Sequence, residues 1–371
     1  MLKCFSVSNF KNFKTKVIFK LDNPANYEFN SEIVNRGVVS KGLLLGINGS
    51  GKSNLALALF DIVIHLTDKE KSLGKYQLYL NLDSNKTEAD FDYTFEFNGI
   101  EVRYTYSKTT AVDLVRENLY INGQEVISFD FSRMIGYTTL KGAETLQLSS
   151  SLSTEADKLS RVKYIKSNAI LQDTPENRAF IAFTNFVDNM LLFYSLDTNY
   201  YQGLRVGIDS YTKGIVRAGK EKEFEAFLKE HGVIYNLVAI EVNGEKDLFC
   251  KFNKMAVPFA LVASTGTRSL ALFYYWYLVM EKASFVFIDE YDAFYHFELS
   301  QALVELVKKL SNTQVFLSSH NTDLISNDLL RPDAYFLIQN NKISSFDQLS
   351  QKELRRAHNI QKMYKAGSFN G

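Results

Sequence analysis

The sequence has only two cysteines, Cys4 and Cys250. They stand far apart without metal-binding spacing, and their scarcity fits a reducing compartment. The histidines His65, His231, His296 and His358 form no metal pattern either. An excess of one charge is also missing, since 42 basic residues face 42 acidic ones. That balance argues against a general nucleic-acid coat and leaves room only for a local basic patch. No apolar run is long enough to span a bilayer; the longest is Leu270 to Met280. The stretch from Met1 to Leu21 is interrupted by Lys3, Asn9, Lys11 and Lys14, so it does not read as a signal peptide. Sustained heptads and internal repeats are absent, which excludes a long coiled-coil arm. The expectation is a cytoplasmic protein with no membrane contact.

What is present is a large apolar fraction, 46% of 371 residues, enough for two lobes with a shared core. The most informative stretch is Gly46-Ile47-Asn48-Gly49-Ser50-Gly51-Lys52-Ser53. It matches the phosphate-loop pattern G-x-x-x-x-G-K-[ST] at every fixed position. The apolar run Gly42 to Leu45 precedes it, and Asn54 to Leu66 follows with apolar residues at helical spacing. Strand, glycine loop and helix is the context this chemistry needs. Glycines let backbone N–H groups turn toward an anion, and the helix N-terminus adds partial positive charge. Asn48, Gly49, Ser50, Gly51, Lys52, Ser53 and Asn54 are therefore the candidate nucleotide-binding residues. Lys52 would reach the β- and γ-phosphates, and the Ser53 hydroxyl would meet Mg2+.

Along the chain, the opening "MLKCFSVSNFKNFKTKVIFKLD" alternates as one or two strands. Asn98-Gly99 and Asn122-Gly123 sit between alternating apolar runs and predict hairpins. Residues 141–175 are rich in Ser, Thr and Lys, and part of them is expected to be mobile. Helical spacing follows at 176–195 and 220–231, and two strands flank "VNGEKD". The expected organisation is four segments. Residues 1–84 form the first half of a nucleotide-binding core and 85–140 an antiparallel β lobe. Residues 141–255 form a mixed helical and strand insertion, and 256–371 the second half of the core.

Three further pieces fit one machine. Phe285 to Ile288 is a buried-strand run that ends in Asp289-Glu290. A carboxylate at such a strand end can hold Mg2+, and its neighbour can deprotonate or orient a water. Val315 to Leu317 is another core run, ending at Ser318-Ser319-His320, where the histidine can contact a γ-phosphate or position the water. Ser264-Thr265-Gly266-Thr267 opens a strongly apolar helix, and a small-residue turn of this kind is either an N-cap or an anion site.

These pieces, in this order, resemble the ATP-binding-cassette ATPases of the SMC, RecF and OLD type. More narrowly, "GINGSGKSNL", "STGTRSL", "DEYDAFYH", "SSHNTDLI" and "ELRRAHNIQKMYKAG" resemble the abortive-infection ATPases of bacterial anti-phage systems, the AbiLi and RloA type. The resemblance implies an α/β fold: an ABC-type P-loop head with a mostly parallel core sheet, an antiparallel β lobe and a helical insertion. It implies ATP and Mg2+ as ligands, with Ser53 and Asp289 on the metal and Glu290 and His320 as catalytic groups. It places Lys11 and Asn12, between the first strands, against the nucleotide. It also implies that Ser264, Thr265, Gly266 and Thr267 act in trans on a partner subunit's nucleotide, in a homodimer or higher homo-oligomer. The output would be control of a separately encoded effector, a toxin or nuclease, with nucleic-acid contact not strong. Two departures matter. No heptads lie between the first helix and the signature, and the chain after His320 holds no clustered acidic residues of the OLD nuclease kind. The glutamine that often completes the Mg2+ shell has only Gln77 as a candidate. A RecF-like repair ATPase and a nucleotide-gated scaffold with little turnover are the competing readings.

Overall fold

The computed structural model describes residues 1–69, 73–148, 159–195, 201–204 and 210–369. Two seven-stranded sheets organise them. The first is mostly parallel, in the spatial order Tyr201–Gly203, Met190–Tyr194, Phe285–Asp289, Gln314–Ser319, Lys41–Leu45, Tyr335–Gln339 and Lys342–Ser345. Its five inner strands run parallel, and the two edge strands are antiparallel. Every residue of Lys41–Leu45, Phe285–Asp289 and Gln314–Ser319 is buried. Such strands are covered on both faces, so they read as continuous apolar runs rather than alternations.

The second sheet is antiparallel throughout, in the order Ile135–Thr138, Gln124–Asp130, Leu114–Ile121, Ile100–Lys108, Ala89–Phe97, Leu2–Ser8 and Val17–Lys20. Its hairpins turn at Asn98-Gly99 and Asn122-Gly123, each with positive φ at both residues, the geometry that matches strand twist in a two-residue loop. The N-terminal strands, expected in the nucleotide core, pair with this sheet: Leu2–Ser8 lies against Ala89–Phe97. The alternating burial of Val17–Lys20 suits a sheet with one covered face.

The helix Lys52–Leu66 lies between the two sheets. Residues Leu55 to Val63 are all buried, and the helix packs on Met190–Tyr194 and Phe285–Asp289. Tyr93 donates to the carbonyl of Ala58 from the antiparallel sheet, at 2.9 Å. A helix covered on every side is apolar nearly all round, and here the exception among Leu55 to Val63 is the buried Asp61.

One sequence expectation is corrected here. The spacing over 176–195 predicts a single helix. The helix is Pro175–Asp188, capped by Thr174 with proline in its first turn, and Met190–Tyr194 is a strand parallel to Phe285–Asp289. A five-residue apolar run fits helix or buried strand equally by pattern, and the open edge of the core sheet decides it. Within 141–175, Arg161–Asn168 is a helix capped by Ser160, while 149–158 lies outside the described residues. A small antiparallel sheet, Leu237–Val242, Glu245–Lys251 and Ala256–Pro258, leads into the helix Thr265–Met280.

Candidate functional site

Three adjacent parallel strands deliver the site. Leu45 stands opposite Ser319, and Leu317 opposite Ile288, so the glycine loop, the acidic pair and His320 leave the sheet along one edge. Ligands bind beyond the carboxyl ends of the strands in open parallel sheets of this kind. A cavity of about 410 Å3 is lined there by Asn48, Gly49, Ser50, Gly51, Lys52, Ser53, Asn54, Glu290 and His320.

The loop is built by close approach. Gly51 has φ 106°, and a Cβ there would lie 2.5 Å from Asn12 Nδ2. That backbone conformation disfavours any side chain, and one placed here would also push the Asn12 carboxamide out of its position on the loop. The helix it opens has no side-chain cap, so the N–H groups of its first turn are left to the loop side. The buried Lys52 ammonium donates to the Gly46 carbonyl at 2.9 Å and lies 3.3 Å from Glu290 Oε1. His320 Nδ1 lies 3.0 Å from Glu290 Oε2, a distance at which the imidazole N–H donates to the carboxylate. Glu290 thus bridges the lysine and the histidine. It does so with φ 50°, a left-handed conformation that is uncommon for a residue of this size and gathers at functional sites.

Ser318 and Ser319 hold this arrangement, and motif spacing alone assigns them no role. The Ser318 hydroxyl donates to Asp289 Oδ1 at 2.6 Å and accepts from the Glu290 N–H at 2.9 Å. The Ser319 hydroxyl donates to buried Asp292 at 2.7 Å and accepts from the Asn321 N–H. The only sequence signal is that "SSH" and "DEYD" both end core strands. Burial pushes the Asp289 carboxyl up, while hydrogen bonds from Ser318 and Ser53 pull it down. A hydroxyl on a carboxylate at the foot of a phosphate cavity is a donor set suited to Mg2+, which takes few protein ligands and completes its shell with phosphates and water. Ser53 and Asp289 would hold it. Among the described residues, no group of three His, Cys, Asp or Glu could hold a metal by itself.

Over residues 43–326 the chain matches the model of a family described as "AAA domain, putative AbiEii toxin, Type IV TA system". The chain belongs to this AAA-domain family. None of the curated proteins compared matches it. Among solved structures, it is similar to the SMC head domain from Thermotoga maritima, at 15% identity and a TM-score of 0.44, over 92% of this chain and 97% of that one. It is also similar to the recombination mediator protein RecF-ATP in the RecFOR pathway, at 12% identity and a TM-score of 0.40, over 93% and 99%. An SMC head bound to the C-terminal domain of ScpA, derived from Pyrococcus furiosus, gives 15% and 0.44 over 94% and 97%.

The remaining candidates of this AAA-family chain fall in different places. Asn12 packs on the phosphate loop and accepts from Asn54 Nδ2 at 2.6 Å. Lys11 does not line the cavity; its ammonium donates to the Gln77 carbonyl at 3.0 Å. Gln77 is exposed and does not line it either. Ser264 caps the helix Thr265–Met280 by accepting from the Thr267 N–H. Ser264 and Thr265 are exposed, whereas Thr267 is buried with its hydroxyl 2.9 Å from that of Ser264. None of the four lines this chain's own phosphate cavity. The same helix touches the segment beyond the acidic pair, through Ser269 and the Tyr295 hydroxyl at 2.9 Å. No helix among the described residues is long and apolar enough to cross a membrane.

Lys52→Ala is expected to weaken nucleotide binding itself, because it removes a buried ammonium that lines the cavity. A calorimetric titration with ATP checks this, and unchanged affinity would count against the phosphate-loop assignment.

Proposed function

We propose that this chain is a Mg2+-dependent ATPase of the ABC type, in which two copies close head to head on ATP, and that closure controls a separately encoded toxin or nuclease in anti-phage defence. The observation that carries the reading is the convergence of Lys52, Glu290 and His320 on one glycine-loop cavity. When the cavity takes a triphosphate, phosphate oxygens compete with Glu290 for the Lys52 ammonium. Released from that ion pair, Glu290 can accept a proton from the attacking water, and His320 orients the carboxylate. The backbone N–H groups of the loop and first helical turn bind the phosphates without reorganisation. Ser53 and Asp289 would hold Mg2+, whose charge would offset that of the phosphates. The exposed Ser264 and Thr265, which do not line their own cavity, are available to a second copy's phosphates.

The trans arrangement has a direct test. Ser264→Arg should leave ATP binding by single subunits intact and prevent ATP-dependent dimerisation. Mixed with Lys52→Ala protein, it gives a dimer with one complete site only if the two halves come from different chains. Partial recovery of hydrolysis supports sharing in trans, and no recovery in a dimer confirmed as mixed by mass counts against it.

A second reading is favoured by the family description, which names a toxin. In that reading harm resides in this chain. Expression of the chain alone separates the two: the favoured reading expects no growth arrest and no cleavage of DNA, RNA or tRNA by purified protein with ATP and Mg2+. Cleavage that disappears in Glu290→Gln would assign the effector to this chain.

A further inference from the structure

Beside the phosphate cavity lies a second one of about 540 Å3, and the two share Asn48, Gly49 and Ser50. Its other walls come from distant parts of the chain: Asn12, the strand end at Leu337 and Ile338, the turn Asn340-Asn341, and Tyr364 of the terminal helix Ile360–Lys365. Among the described residues no charged side chain lines it, which suits a neutral heterocycle rather than a second anion. Ile47, within the glycine loop, is 77% exposed and forms part of the wall. An apolar side chain held out of the loop at this point gains by being covered.

The polar groups form a line. Asn54 Nδ2 donates to Asn12 Oδ1 at 2.6 Å, and Asn12 Nδ2 donates to Asn341 Oδ1 at 3.4 Å. Asn340 and Asn341 have φ of 51° and 57°, so they make the tight turn between Tyr335–Gln339 and Lys342–Ser345. Glycine would serve that turn as well; asparagine adds two carboxamides at the mouth of the cavity. A carboxamide both donates and accepts, the pair of functions that matches the N6 and N7 edge of adenine. Tyr364 stacks against Phe346 at 5.7 Å and 15°, and so presents a supported ring to the cavity. Its helix is held by Gln361 and Lys365, which bond to Asp323 at 2.7 and 2.9 Å, close beyond His320.

We infer that this cavity is the nucleoside subsite, in which Tyr364 stacks on a purine base and the Asn340-Asn341 turn reads its amino edge. The inference rests on the phosphate reading of the glycine loop and adds the part of the ligand that the loop cannot recognise. A terminal segment then decides which triphosphate is accepted.

The test is calorimetric titration of the full chain with ATP, GTP and inorganic tripolyphosphate, each with Mg2+. Wild type should bind ATP more tightly than tripolyphosphate. Tyr364→Ala should weaken ATP about tenfold or more, the usual effect of losing one aromatic stack on a base, and leave tripolyphosphate unchanged. Asn341→Gly keeps the turn and removes the carboxamide, so it should narrow the preference for ATP over GTP, again without effect on tripolyphosphate. Lys52→Ala should weaken all three. ATP binding unchanged in both Tyr364→Ala and Asn341→Gly, with Lys52→Ala still impaired, overturns the subsite and leaves the phosphate site standing. Equal loss of ATP and tripolyphosphate in those two variants also overturns it. Lys52→Ala binding every ligand normally removes the phosphate reading itself.

Discussion

Glu290→Gln is expected to bind ATP as wild type does while steady-state hydrolysis falls by a factor on the order of 10²–10⁴, the usual cost of losing a general base. The substitution keeps the shape of the side chain and leaves an amide oxygen near the His320 N–H. It removes the negative charge 3.3 Å from Lys52. Losing that ion pair frees the ammonium for phosphate, so ATP affinity should stay level or rise, and the closed dimer should persist. A reduced kcat with no loss of ATP affinity is the expected signature. Normal turnover would remove Glu290 from the chemistry. Weakened ATP binding would instead give it a binding role.

Lys108→Met is expected to cost about 3–5 kcal/mol of folding stability, although it lies outside the cavity. Lys108 and Asp61 are both fully buried and 2.6 Å apart. Asp61 also accepts from Tyr79 at 2.8 Å and Tyr106 at 2.9 Å, and Lys108 donates to the Ala111 carbonyl. The cluster ties the helix Lys52–Leu66 to the antiparallel sheet. Burial pushes the Asp61 carboxyl up and the Lys108 amine down, and their mutual contact opposes both shifts. Removing the lysine alone leaves a buried carboxylate without its counter-ion, which is where the large penalty arises. Replacing both, as in Asp61→Leu with Lys108→Met, should recover part of the loss. The recovery is incomplete because the two tyrosine hydroxyls lose their acceptor. Urea unfolding of the two single variants and the double measures the coupling. A single-variant loss below about 1 kcal/mol, within the range of an exposed pair, would contradict this account. The pH dependence of Lys108→Met has a definite sign. Burial already raises the Asp61 carboxyl above its ordinary value of 3.8 in the wild type, and the variant removes Lys108, whose charge and hydrogen bond pull it down, so the rise should be larger. Between that value and the raised folded one, the native state carries more protons than the unfolded one, so stability falls as pH rises.

Two kinds of information separate in this protein. The glycine loop, its strand and helix, the hairpin turns at Asn98-Gly99 and Asn122-Gly123, and the core runs ending at Asp289 and Ser319 are all determined by local sequence. Each depends on residues within a few positions, through backbone conformation, helix or strand period, and the need to bury apolar runs. Tertiary structure alone decided which side chains meet. It turned Lys11 toward Gln77, set Thr267 inside its own helix cap, and gave Ser318 and Ser319 to Asp289, Glu290 and Asp292. It made Met190–Tyr194 a strand, joined Leu2–Ser8 to the antiparallel sheet, and brought Asn12, Asn341 and Tyr364 to one cavity. These outcomes depend on which strands become neighbours, and that choice is made by packing between residues far apart in the chain, where spacing along the sequence carries no information about distance.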